Sequence, residues 1–185
     1  VGRFEQIKRY NTFTDADSVD HAKFGADLLF KDGLISTFLN GMVKCTGYKS
    51  GALEDRYSSD GVFLYDRLNK SDMEMLELAI RCHNMYRIPQ GLNSREQAFC
   101  NVLRDADKVD IFKVNIDTPL EEIYNTTTEE LMKSNITDEV LEAFDEEHCI
   151  LKAIRRTPAD TVIGHVSLAY ELVYDESVRI TVEQG

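Results

Sequence analysis

Apolar positions recur along this chain at three- and four-residue intervals, while strictly alternating runs are short and isolated. That spacing is the period of an amphipathic helix, so the pattern predicts an all-α fold with next to no strand. Phe4 and Ile7 mark a short first helix that ends near Asn11. Asp17 or Ser18 can cap a second helix running through Lys31, with His21 in its first turn, Ala22, Gly25, Ala26 and Leu29 inward, and Gly33 just past its end. Ser71 and Glu74 have capping-box spacing ahead of a helix that carries Leu76, Ala79, Ile80 and His83 on one face. Asn93 or Ser94 opens a long helix over 96–114, and Pro119 starts the next. Short helices are expected at 129–132 and 138–144, and a last one opens at Pro158 with Val162, Val166, Ala169, Leu172 and Val173 as its apolar stripe. Between 41 and 69 the pattern breaks up around Gly41, Gly47, Gly51 and Gly61, as in an inserted loop that either merely connects or covers a substrate.

The long helix holds the anomaly. Its period puts Ala98, Val102, Ala106, Val109 and Phe112 on one face with Asp105 inside the arc, and Asp110 falls there too, beside Phe99 and Leu103. An ionised carboxylate leaves water only at a large desolvation cost, so a partner cation, a metal or a protonation change is expected beside it. Periodicity alone leaves open which of the two faces inward.

Composition narrows the classes. With 185 residues, 43% of them hydrophobic, the chain suffices for one domain with a real core. Asp and Glu number 33 against 21 Lys and Arg, a formal charge of −12, which repels nucleic-acid backbones and acidic membranes. A polynucleotide substrate is therefore disfavoured, and no apolar run reaches the length of a membrane span. Cys45, Cys82, Cys100 and Cys149 are scattered without CxxC spacing, as expected of reduced thiols in a cytoplasmic protein. There is neither a G-x-S-x-G elbow nor a glycine-rich phosphate loop. His165 reads as a core histidine, and His148 beside Cys149 does not make a metal pair, because adjacent helical residues diverge.

Three stretches carry a resemblance. Asp20-His21-Ala22-Lys23-Phe24-Gly25-Ala26-Asp27-Leu28-Leu29-Phe30, then Ala79-Ile80-Arg81-Cys82-His83-Asn84-Met85-Tyr86-Arg87-Ile88-Pro89, then Leu103-Arg104-Asp105-Ala106-Asp107-Lys108-Val109-Asp110-Ile111-Phe112 together resemble, in that order, the HD-domain superfamily of metal-dependent phosphohydrolases. The resemblance covers 1–112, and the tail 157–185 is similar to the C-terminal part of a bacterial subgroup. It implies a single HD-domain-like helical bundle over 1–185. The opening Val1-Gly2-Arg3-Phe4-Glu5-Gln6 resembles the segment directly after the His-Asp dyad that names the family, so N-terminal helices carrying the dyad are expected ahead of Val1.

By that resemblance His21, His83 and Asp105 are ligands of a divalent metal ion (Mn, Co, Ni, Fe, Zn or Mg), and Lys108 and Arg3 are catalytic residues near the substrate phosphate. Imidazole nitrogens and carboxylate oxygens suit such ions while leaving positions for water and a phosphoryl oxygen. The implied activity is hydrolysis of a small phosphate ester, in the first instance a nucleotide, and a homodimer is compatible with it. The alternative, which the dyad's absence from this chain keeps open, is a non-catalytic HD-like ligand-binding or signalling domain.

Overall fold

A computed structural model describes residues 1–12, 14–37 and 68–185. Among these the chain is helical and contains no strand. It divides into two compact units, residues 1–83 with 91–100, and residues 84–90 with 101–185. The irregular stretch expected at 41–69 lies, up to residue 67, outside the described residues, as does Cys45. Cys82, Cys100 and Cys149 are thiols, not disulfides. No helix among the described residues is long and apolar enough to cross a membrane.

The first unit is built on helices α1 (Gly2–Tyr10), α2 (His21–Ala26) and α3 (Lys70–Cys82). Helix α1 stops where expected, at Asn11, which takes the left-handed conformation (φ 53°) and donates its N–H to the Ile7 carbonyl. Helix α2 begins later than the sequence suggested. Asp15–Asp17 form a 3-10 turn, the Ser18 hydroxyl bonds back to the Thr14 carbonyl, and Asp20 caps the helix by accepting the Ala22 and Lys23 amides. The shift places His21 at the first helical position. Past Ala26 the helix widens into a π turn, Asp27–Lys31, which buries the consecutive side chains Leu28 and Leu29.

Helices α1 and α2 pack through small residues. Ala22 and Ala26 are fully buried, and Gly2 and Gly25 let the two backbones approach so closely that a Cβ on Gly2 would lie 2.0 Å from the His21 carbonyl oxygen. Helix α3 starts on an Asn69/Asp72 capping box, two residues ahead of the Ser71/Glu74 pair of the same spacing. It buries Asp72, Met75, Ala79 and Cys82, leaving Leu76, Ile80 and His83 half-buried beside that stripe. Arg81 ties α3 to α2 through an ion pair with Asp27.

The second unit takes most of α4 (Ser94–Asp117), followed by α5 (Leu120–Tyr124), α6 (Thr128–Lys133), α7 (Asp138–Asp145), α8 (Pro158–Val166) and α9 (Asp175–Gln184). Capping boxes open α6 (Thr127/Glu130) and α8 (Thr157/Asp160), each joining a side-chain acceptor to an otherwise unpaired first-turn amide. The apolar stripe from Val162 to Val173 is not one helix. It breaks at Val166 into a 3-10 turn over Ser167–Glu171, because the buried Ser167 hydroxyl accepts the Ile150 amide and donates to the Gly164 carbonyl.

His165, expected as a core histidine, is half-buried, its Nδ1 3.0 Å from the Tyr124 hydroxyl, which in turn donates to Asn115. Burial, with Arg155 and Lys152 nearby, pushes its pKa from 6.5 down to about 4. Between those values the unfolded chain binds the extra proton, so this contribution to stability is complete above pH 6.5 and is lost as the pH falls through about 4. His165→Gln should therefore flatten the acid limb of a urea-denaturation series over that window, by at most about 3 kcal/mol.

Candidate metal centre

His21 and His83 stand 62 residues apart in sequence, at the start of α2 and the end of α3, yet their Nε2 atoms are 3.2 Å from each other. The rings meet edge to face, with centroids 5.1 Å apart and planes at 75°. Each ring is held from its far side. His83 Nδ1 donates to the Ile80 carbonyl at 2.7 Å, an acceptor left over at the end of α3. His21 Nδ1 donates to the Asp15 carboxylate at 2.8 Å. With both Nδ1 atoms protonated, both Nε2 atoms carry lone pairs and lie side by side, 3.2 Å apart.

A cushion of polar groups supports the pair. Asp15 Oδ1 also accepts from Arg3 Nη1 and from Gln6 Nε2, each at 2.9 Å. Gln6 has no solvent exposure; its amide also reaches Ser18 Oγ and the Val19 carbonyl, and its oxygen accepts from Arg3. Arg3 Nη2 lies 3.3 Å from His21 Nε2, so the one guanidinium touches Asp15, Gln6 and the histidine. Burial pushes the His21 pKa down, reinforced by Arg3 and His83 and only partly opposed by Asp15, which favours the neutral imidazole that a metal requires. Burial alone would raise the Asp15 pKa, but hydrogen bonds from Gln6 and His21 and the charges of His21 and Arg3 outweigh it and hold the carboxyl below its ordinary value.

A divalent ion fits this donor set. Two nitrogens 3.2 Å apart can both bind one ion at about 2.0 to 2.1 Å with a nitrogen–metal–nitrogen angle of roughly 100°, between the octahedral and tetrahedral values. Asp15, Asp20 and His21 also place one ligand atom each within 4.8 Å of one another. Asp20, however, is engaged as the α2 cap and pairs with Lys23.

The structure thus brings together three of the five residues singled out from the sequence, Arg3, His21 and His83. Asp105 and Lys108 lie in the second unit, on α4. Asp105 is 1% exposed, and its carboxylate accepts the Val173 amide at 3.0 Å and the Tyr174 amide at 3.0 Å, immediately ahead of α9. Lys108 is buried, its ammonium donating to the Arg104 carbonyl, and burial together with Arg104 pulls its pKa down. Arg104 bonds to the Met85 and Tyr86 carbonyls and pairs with Glu171. Asp110 is exposed on the edge of a shallow groove between α4 and α9.

Asp15 and Gln6 are not among the residues that the sequence singles out. The available signal is Gln6 one helical turn after Arg3, a polar pair on the face that also carries Gly2, but an Asp-Ala-Asp turn has no periodicity that reveals where its carboxylates point. No family model, curated protein or solved structure matches this chain, so the chemistry of the site is read from its own geometry.

Proposed function

We propose that the chain is an HD-domain-like, cytoplasmic, metal-dependent phosphohydrolase unit whose substrate is a small phosphate ester, a nucleotide being the first class to test. The observation that carries the reading is the pair of imidazole Nε2 atoms 3.2 Å apart, each oriented by an acceptor on its Nδ1. Bound there, a divalent ion supplies a Lewis acid for the phosphoryl oxygens and lowers the pKa of a coordinated water. His21 and His83 hold the ion. Arg3, half-exposed and touching His21, offers the planar fork that recognises phosphate oxygens in pairs. The negative charge of the whole chain makes such local cations necessary for an anionic substrate.

His21→Ala and His83→Ala should each weaken Mn(II) or Zn(II) binding in calorimetry at least about 100-fold, a whole ligand being worth more than the 10- to 100-fold of its supporting partners. The melting temperature of each variant is measured alongside, because the His21 side chain is only 15% exposed and is bonded to Asp15. The companion assay measures phosphate release from a panel of nucleotides and phosphomonoesters with Mn, Co, Ni, Zn or Mg. Metal binding without turnover on any member would favour the non-catalytic ligand-binding domain. Unchanged metal affinity in both variants would overturn the metal centre.

A further inference from the structure

Among the described residues Asp15 is the acidic group hydrogen-bonded to the histidine pair, and two arrangements are open to it: ligating an ion directly, or acting through His21. The geometry separates them. Its carboxylate lies on the Nδ1 side of the His21 ring, at 2.8 and 3.0 Å, whereas the nitrogen that faces His83 is Nε2, on the opposite side. Its Oδ1 is further engaged by Arg3 and by the fully buried Gln6, whose amide is itself pinned to Ser18 and Val19. A carboxylate held in this way can rotate toward the Nε2 side only by giving up its hydrogen bonds from Arg3, Gln6 and His21 Nδ1 together.

We propose that Asp15 is a positioning residue, locked in place by Gln6, that keeps His21 in the Nδ1–H tautomer so that its Nε2 lone pair is directed at the ion site shared with His83. This inference rests on the metal reading of the site. It also explains why a side chain with no exposure on α1 is a glutamine: Gln6 alone donates to Asp15, Ser18 and Val19 while accepting from Arg3, which no apolar residue of that size can do. Without the carboxylate, the tautomers differ little in energy, and His21 would present a lone pair to the site only part of the time.

The test uses the full chain labelled with nitrogen-15. Long-range proton–nitrogen correlation spectra assign the His21 tautomer, first without added metal and then during titration with Zn(II). The expected result is Nδ1–H in the ion-free chain, with Zn(II) shifting Nε2 of His21 and of His83. Asp15→Asn should give a mixture of tautomers and a Zn(II) dissociation constant raised about 10- to 100-fold. Gln6→Leu should move both readouts in the same direction. Coordination through His21 Nδ1 in the wild-type chain would overturn the proposal without any variant having to fold, and so would a well-folded Asp15→Asn chain with unchanged tautomer and affinity. A wild-type chain that takes up no Zn(II) overturns the metal reading, and the ion-free tautomer spectra of wild type and Asp15→Asn then decide the Asp15–His21 assignment alone.

Discussion

Gly2→Ala is expected to unseat helix α1 and take the histidine site with it. The added Cβ would meet the His21 carbonyl oxygen at 2.0 Å and the Gly25 nitrogen and Cα at 2.8 and 2.9 Å, all of them backbone atoms that cannot swing aside as a side chain could. The two helices must separate, and overpacking of this kind costs about 3 kcal/mol in a close-packed interior. Arg3 is the next residue and Gln6 one turn further on, so displacement of α1 withdraws both from Asp15 and His21. Urea denaturation should show the lost stability, and Zn(II) affinity should fall in whatever fraction remains folded. A variant as stable as wild type, with the same affinity, would show that α1 does not need this close approach.

Asp105→Ala should be comparably damaging for a different reason. The wild-type carboxylate is buried and accepts the Val173 and Tyr174 amides, and its loss removes the charged acceptor of both N–H groups. A hydrogen bond to a charged group contributes about 1.5 to 3 kcal/mol, and with water able to reach part of this exposed segment the two together amount to about 3 kcal/mol, a large part of the stability of an ordinary domain. Asp105→Asn retains one acceptor oxygen and should lose about half as much. Zn(II) affinity measured on the same two proteins separates this holding role from the ligand role that the resemblance implies. Affinity unchanged beside a lowered melting temperature supports the former, whereas lost affinity at preserved stability supports the latter.

The helices were legible in the sequence because caps and periods are local. Asn11, Asn93, Thr157 and Pro158 each mark a helix end through chemistry confined to a few residues. The buried face of α4 was legible only in part: Asp105 lies inward, within the arc the period gives, but Arg104 and Lys108 are buried beside it while Val102 is 57% exposed. Hydrophobic periodicity finds a buried face only when that face is apolar. Apart from the Arg104 carbonyl that Lys108 reaches within the helix, the charges are compensated by carbonyls of residues 85 and 86, the Glu171 carboxylate and the amides of residues 173 and 174, none of which the wheel of α4 contains. Similarly, His21 and His83 stood out by residue type and resemblance, whereas Asp15 matters only through the turn that carries it under the His21 ring.

The assembly of the site has a built-in order. Arg3, Gln6, Asp15, Ser18 and His21 are joined by hydrogen bonds that span at most 18 residues, while His83 joins them across 62. Closing the short loops costs less chain entropy than closing the long one, so the cradle around His21 is expected to form before α3 docks. The ion proposed for the two histidines would act as a clasp on the slower step. It would add its binding free energy to the docked state alone, and its removal would loosen α3 before it loosened α1 and α2.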